Sequence, residues 1–460
     1  MKNLILAFTV FVAGVAVAED LSVATPLTFN GANPPPADGY GTVDVEADLT
    51  LDGSAVVLKN TSALKIGATV ATPVALTIKN GAQYRLTNGK QITFGGDGGA
   101  GGCIDVSSST DKVPSWTEWG TFGGYATAVV SAKLTSSKTD AAGNTVVDIA
   151  RIGRYGYLTI KEFYNSNAEV DARLLFDGGE YFVSNAGATR FQGVQGAKFR
   201  LVGVNGNDIK ITHQGGVVSL TDGNVQLVTE GNCDVYFLRG DNSKPDVRFT
   251  QNIVWNHTGD THLGHVTANA AKYYRVFADD ALPYGPQTGS VTVGPGNNGT
   301  SPTTGAFLDL HGHNVKLNGL KMYANTILTN ESATASVVTF GAGNTDGALD
   351  LGTAVVAPTG ISFAKAGTGT LTITNTANVR NAIDVSEGTF KIGSGKDVTL
   401  VDLTVRAGAK LQVDGVRLFV VRLVREEGAT VECLNGGACI VIQGDEPLEL
   451  NVGEHSKDVV

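Results

Sequence analysis

Four glycine-led pentads set the strongest constraint on this chain: Gly369-Thr370-Leu371-Thr372-Ile373, Gly388-Thr389-Phe390-Lys391-Ile392, Gly408-Ala409-Lys410-Leu411-Gln412 and Gly428-Ala429-Thr430-Val431-Glu432. Their first glycines, at positions 369, 388, 408 and 428, are almost evenly spaced. Each unit is a glycine corner followed by a short alternating strand, and a constant step of about 20 residues is what one coil of a β-solenoid consumes. Similar units occur earlier, led by Gly53, Gly81, Gly178, Gly196 and Gly215, the last three again at nearly equal intervals. Within them, apolar and polar side chains alternate with the period of a strand that has one face in a core. Glycine and asparagine at the corners supply left-handed backbone angles for sharp turns. The expected fold is all-β, a right-handed parallel β-helix with loop insertions.

Composition agrees, with 59 glycines in 460 residues, 2 methionines and only 17% charged residues, a poor mixture for long helices. The formal charge of −10 opposes non-specific binding to nucleic acid, and no Lys/Arg run overcomes it locally.

The first residues predict export. Lys2, the apolar run Leu4 to Val15 and the small residues Ala16-Val17-Ala18 have the layout of a secretory signal peptide over residues 1–18. The mature chain is then secreted, extracellular or at a cell surface, with no membrane-spanning helix. The reading continues with an N-terminal solenoid tract over 19–255, interrupted by an inserted loop region near 95–144. A loop-rich junction carrying Pro283, Pro286, Pro295 and Pro302 follows at 256–304, then a strand-repeat tract at 305–445 and a tail at 446–460.

Four cysteines in an exported chain are compatible with disulfides. Cys433 and Cys439 bracket an Asn435-Gly436 pair, a favoured hairpin turn that would bring its flanks side by side. A bridge there would contribute about 2 kcal/mol. Two buried thiols are the alternative, and no pairing follows for Cys103 and Cys233.

From about Ala281 to Asp414, under a third of the chain, the sequence resembles the autotransporter-associated β-strand repeat family of bacterial passenger-type proteins. The residues that carry the resemblance are Leu308-Asp309-Leu310-His311-Gly312-His313-Asn314-Val315-Lys316-Leu317-Asn318-Gly319-Leu320, the stretch Gly367 to Thr376, and Glu387 to Gly393. The resemblance implies a parallel β-helix at the cell exterior, with motif glycines and asparagines serving corners and no catalytic residue to carry over. The pattern departs from the family after Thr376, where Ala377, Asn378 and Val379 replace the usual aromatic and glycine.

Several clusters bear on chemistry. His257, Asp260, His262 and His265 lie close together and have the ligand types of a zinc or copper site, against a polar loop whose histidines bond to backbone. Gly95 to Gly102 contains a Gly-x-Gly-x-x-Gly spacing with no helix to follow it, and reads as a flexible loop. Trp116, Trp119 and Tyr125 gather aromatic rings in a Ser/Thr/Gly-rich stretch, the side chains used to stack on sugars. Paired carboxylates for acid and base work are offered by Asp171, Asp177 and Glu180 and by Asp279 and Asp280, although acids at corners more often cap turns. No serine or cysteine nucleophile motif occurs. The expected function is that of an exported structural and adhesive solenoid of the bacterial surface or extracellular space, without catalysis or cofactor, its partner an extracellular glycan or a cell-surface component. The alternatives are a polysaccharide-active β-helix enzyme and a glycan-binding module.

Overall fold

The computed structural model describes residues 18–443 apart from 88–89, 97, 108–126, 135–137, 184–187, 214–217, 240–245, 265–271, 295–305, 377 and 394, together with 449–450. The signal-peptide run, Trp116, Trp119, Tyr125, His265 and most of the tail therefore lie outside the described residues.

Short strands are packed side by side in parallel ladders. The main sheets hold 13, 10, 12 and 9 strands, and among the described residues the one antiparallel strand pair is Lys138–Thr139 against the start of Thr145–Gly153. Through its middle the chain visits three walls in rotation. Glu162–Asn165 lies on the first wall, Asp171–Asp177 on the second and Glu180–Val183 on the third, and the cycle then repeats one rung along. This is a parallel β-solenoid, and the pleat explains its interior: alternate residues point inward, so Ala172, Leu174 and Phe176 are fully buried while Arg173, Leu175 and Asp177 are not. Inside, Phe163 stacks on Phe191 at 5.7 Å and meets Tyr181 edge-on at 5.4 Å. Aromatic rings of successive coils thus stack along the axis.

The coil length differs from the expected constant step. On the second wall Ala172 stands beside Phe199, Phe199 beside Leu227 and Leu227 beside Ile253. One coil there consumes about 27 residues, more than the sequence spacing suggests. On the third wall Leu371, Phe390, Leu411 and Val431 succeed one another. There, as from Phe307 to Ile327 on the first wall, a step of about 20 residues equals one coil. The glycine-led units at 178, 196 and 215 precede strands on the third, second and first walls respectively, so their spacing measures two strands out of three. Near the C-terminus two walls merge. The eight-residue strand Val398–Val405 places Leu400 beside Val379 and Leu403 beside Ile383, covering both positions without a turn.

Two walls are interrupted among the described residues, and the interruptions are staggered: the second lacks a ladder pair between Ile253–His257 and Val315–Leu317, and the first between Val355–Val356 and Asn378–Val379. At these breaks other walls run on: Thr261–Leu263, Lys272–Val276 and Val291–Val293 continue two ladders through the segment expected as a loop-rich junction at 256–304. Side chains bridge the gap on the second wall. The Trp255 indole N–H donates to Ala281 O at 3.3 Å, and the Asn318 amide donates to Gly285 O and Thr288 O at 2.6 and 2.5 Å.

The region near 95–144 is likewise part of the body where it is described. Gly102–Val106 and Thr127–Val130 are ladder strands, with Ile104 and Ala128 buried. The glycine-rich segment is packed, not loose: Gly99, Ala100 and Gly101 donate their N–H groups to Ala68, Val70 and Gly67 carbonyls. A Cβ on Gly67, whose φ is +59°, would stand 2.0 Å from Gly101 O, so the two backbones meet only because residue 67 is glycine.

Candidate functional site

Outward positions of the third wall hold the most chemically varied column. Register places Lys210 beside Tyr236, Tyr236 beside His262, His262 beside Thr292 and Thr292 beside Lys321. The Lys210 ammonium lies 5.6 Å from the centre of the Tyr236 ring, which stacks on the His262 imidazole at 4.2 Å. His262 Nε2 meets Asp234 Oδ2 at 2.9 Å and Nδ1 meets Thr292 Oγ1 at 2.6 Å.

A second column, of carboxylates, runs beside it at the corner. Asp208 Oδ1 accepts the N–H of Asp234, Asp234 Oδ1 that of Asp260, and Asp260 Oδ1 that of Ser290, at 3.2, 2.9 and 2.7 Å. Each acid caps the next coil. The signal for this column is present in the sequence as evenly spaced aspartates at positions 208, 234 and 260, one coil apart at this point. A search at a step of about 20 residues passes over it.

The column's chemistry is structural. The line Asp234–His262–Thr292 has the order of a nucleophile triad, but Thr292 is only 2% exposed and its hydroxyl faces no solvent. The hydrogen bond from His262 holds the Asp234 carboxyl below the ordinary carboxylate range, which removes it as a proton donor near neutrality.

The other sequence candidates are dispersed. His257 is fully buried, and its Nδ1 and Nε2 pair with the hydroxyls of Thr229 and Thr261 at 2.8 and 2.9 Å. Both His257 and His262 have their ring nitrogens engaged, and Asp260 caps Ser290, so these three do not form the metal site their spacing suggested. Among the described residues no group of three or more His, Cys, Asp or Glu side chains is placed to hold a metal ion. Asp171 and Asp177 sit at opposite ends of one seven-residue strand, roughly 20 Å apart at the usual rise. Asp171 binds Arg200 at 2.6 Å and Asp177 binds Arg151 at 2.5 Å. Glu180 lies on another wall, its carboxyl raised by burial. Asp279 and Asp280 pair with His313 and Lys316 at 3.2 and 2.6 Å. The three carboxylates near 171–180 therefore do not converge as an acid–base pair requires.

Tyr273 and Phe277, described aromatic residues at the first wall, are engaged by neighbouring side chains. Tyr273 stacks on Phe307 at 4.6 Å, and Phe277 carries the Arg248 guanidinium at 4.6 Å on its face and meets the His311 ring at 4.8 Å.

The Cys433–Cys439 expectation meets a geometric obstacle. The Asn435-Gly436 turn is a corner between two walls, not a hairpin: Cys433 pairs with Val413 on one sheet and Cys439 with Arg417 on another. Val413 is fully buried and Arg417 is exposed, so parity turns Cys433 inward and Cys439 outward, and no bond joins them.

A pH dependence follows. Burial depresses His257 from 6.5 to about 4, so the folded state resists its protonation while the unfolded chain takes the proton. His257 thus contributes stability that is complete above about pH 6.5 and declines as pH falls towards 4. Asp177, held down by Arg151, and Asp234 lose theirs only below the unfolded carboxylate value of about 3.9. Thermal melting is expected to weaken in two stages on acidification, and His257→Gln should flatten the first; an unchanged first stage would assign it elsewhere.

Among the described residues no helix is long and apolar enough to cross a membrane. Compared with known proteins, the chain matches no family model, no curated protein and no solved structure.

Proposed function

We propose that this chain is an exported solenoid of the bacterial surface or extracellular space whose work is structural and adhesive, presenting long walls to a glycan or cell-surface partner without catalysing a reaction. One observation carries the reading: many of the outward charged groups, Asp171 and Asp177 among them, are taken up in binding one coil to the next. Arg200 links Asp171 and Glu230 across three rungs, Arg275 links Asp246, Asp309 and Glu331, and the aspartate column caps successive corners. A fold built this way extends by adding coils and offers repeated outward positions at a spacing of about 4.8 Å. The resemblance of residues 281–414 to passenger-type repeats supports export.

The test is partition. Expressed with its leader in a bacterial host, the protein is expected to sediment with cells or extracellular matrix and to leave them on competition with soluble glycan extract. Recovery of all the protein free in the medium would overturn the adhesive reading.

A further inference from the structure

The C-terminal end of the solenoid is open among the described residues. Thr430–Leu434 is the last strand of the third wall's sheet, and beyond Arg417–Arg425 on the neighbouring wall stand Cys439–Ile442 and the two residues Glu449–Leu450. The interior is less covered here: Leu411 is fully buried, whereas Val431, beside it on the last rung, is only partly so. The Thr430 N–H donates to Ala409 O at 2.9 Å, and because successive peptide groups of a strand point to opposite sides, the Val431 N–H faces away from Lys410–Asp414, toward the open end. Such an edge is a template for any further strand.

The corner that leads onto this wall repeats. Val385, Val405, Arg425 and Leu450 stand beside one another in successive coils. Gly388, Gly408 and Gly428 follow the first three at a constant interval, with φ of +70°, +80° and +84°, and each opens onto a third-wall strand, Thr389–Ile392, Lys410–Asp414 and Thr430–Leu434. Gly453 stands at the same interval after Leu450. The sequence beyond it, Glu454-His455-Ser456-Lys457-Asp458-Val459-Val460, has the length of one more such strand. Its polarity suits a final rung, because the terminal repeat of a solenoid has solvent on its far side.

We propose that residues 451–459 close this end as its last rung: a corner at Gly453, then His455 beside Thr430, Ser456 over Val431 and Lys457 beside Glu432. The charge is complementary, since Glu432 is an outward carboxylate on the edge strand, 35% exposed, and Lys457 brings it an ammonium. The segment then occupies the edge on which a second copy of the chain would otherwise pair. This closure is independent of the adhesive reading.

Amide hydrogen exchange tests it, on the full chain and on one ending at Leu450. Removing residues 451–460 is expected to speed exchange in Thr430–Leu434 about tenfold or more and to leave Ile361–Lys365, several coils away, unchanged. Gly453→Val, which resists the left-handed corner, should act in the same way. Glu432→Lys should lose protection by facing Lys457, and adding Lys457→Glu should restore most of it, a rescue that general loosening of the last coil does not give. Equal exchange with and without residues 451–460, or no restoration in the charge-swapped pair, would overturn the proposal. Protection that rises with protein concentration would assign the edge to a second copy and overturn it as well.

Discussion

Arg275→Met is expected to destabilise the coils around it by about 3–5 kcal/mol, the cost of removing one partner from a buried charge cluster. Arg275 stands on the first wall in the coil where the second wall is interrupted. Its guanidinium donates to Asp246 and Asp309, both at 2.9 Å, and also reaches Glu331. Asp309 is fully buried and Asp246 is 10% exposed at the side chain, so neither carboxylate can recover its hydration when the arginine is gone. Glu331, 43% exposed, contributes little. Methionine keeps most of the aliphatic stem, so the loss reports charge and not packing.

Because a solenoid unfolds coil by coil, the effect should be read locally, as faster amide hydrogen exchange in Asp246–Phe249, Lys272–Val276 and Ala306–Asp309. The control is Arg417→Met. Arg417 binds Asp397 at 2.5 Å but is 57% exposed, and its removal should cost at most about 1 kcal/mol. Equal losses in the two variants would show that burial at Arg275 does not govern its contribution.

The sequence revealed the solenoid and the length of its shorter coils, for a physical reason. Glycine corners and alternating strands are local features, so they survive in one dimension. Which strand lies beside which is not local. The units led by Gly369, Gly388, Gly408 and Gly428 are successive rungs of one wall, and there the spacing could be read directly. The units at Gly178, Gly196 and Gly215 have nearly the same spacing but belong to three different walls, because two strands of the longer coils occupy about as many residues as one whole coil near the C-terminus.

The carboxylates near 171–180 are dispersed on the same ground. Side chains near in sequence, such as Asp171, Asp177 and Glu180, are spread along and around the coil, whereas Asp208, Asp234 and Asp260 are brought into one column by the coil step. The cysteine reading assumed a hairpin. In a parallel fold the same Asn-Gly turn is a corner, and strand parity then decides the direction of each thiol.

Lys365→Met tests the opposite kind of buried charge, one satisfied by main chain alone. The strand Ile361–Lys365 alternates with Ile361, Phe363 and Lys365 inward, and Lys365 is fully buried. Its ammonium donates to Ala366 O at 2.8 Å, Gly367 O at 2.6 Å and Glu387 O at 3.1 Å, three protons for three carbonyls. Room for it comes from Gly388, whose φ is +70° and where a Cβ would lie 2.9 Å from Nζ. Burial lowers the Lys365 pKa from its ordinary 10.5, a sign that holding the charge costs free energy. Methionine removes that cost, as hydrophobic replacements of buried ion pairs often do. Here, however, the acceptors are backbone carbonyls that no substitution at 365 can delete, and each unmade bond costs about 1–3 kcal/mol.

The deficit should win, leaving Lys365→Met less stable by about 3 kcal/mol. Faster exchange should be confined to the corner joining 365–367 to 386–388. Lys391→Met, which removes a surface ammonium bound to Asp414 at 2.7 Å, should lose no more than about 1 kcal/mol. If Lys365→Met melts and exchanges like the parent chain, the three carbonyls are satisfied without the ammonium, and the buried charge is a tolerated cost and not a clamp between coils.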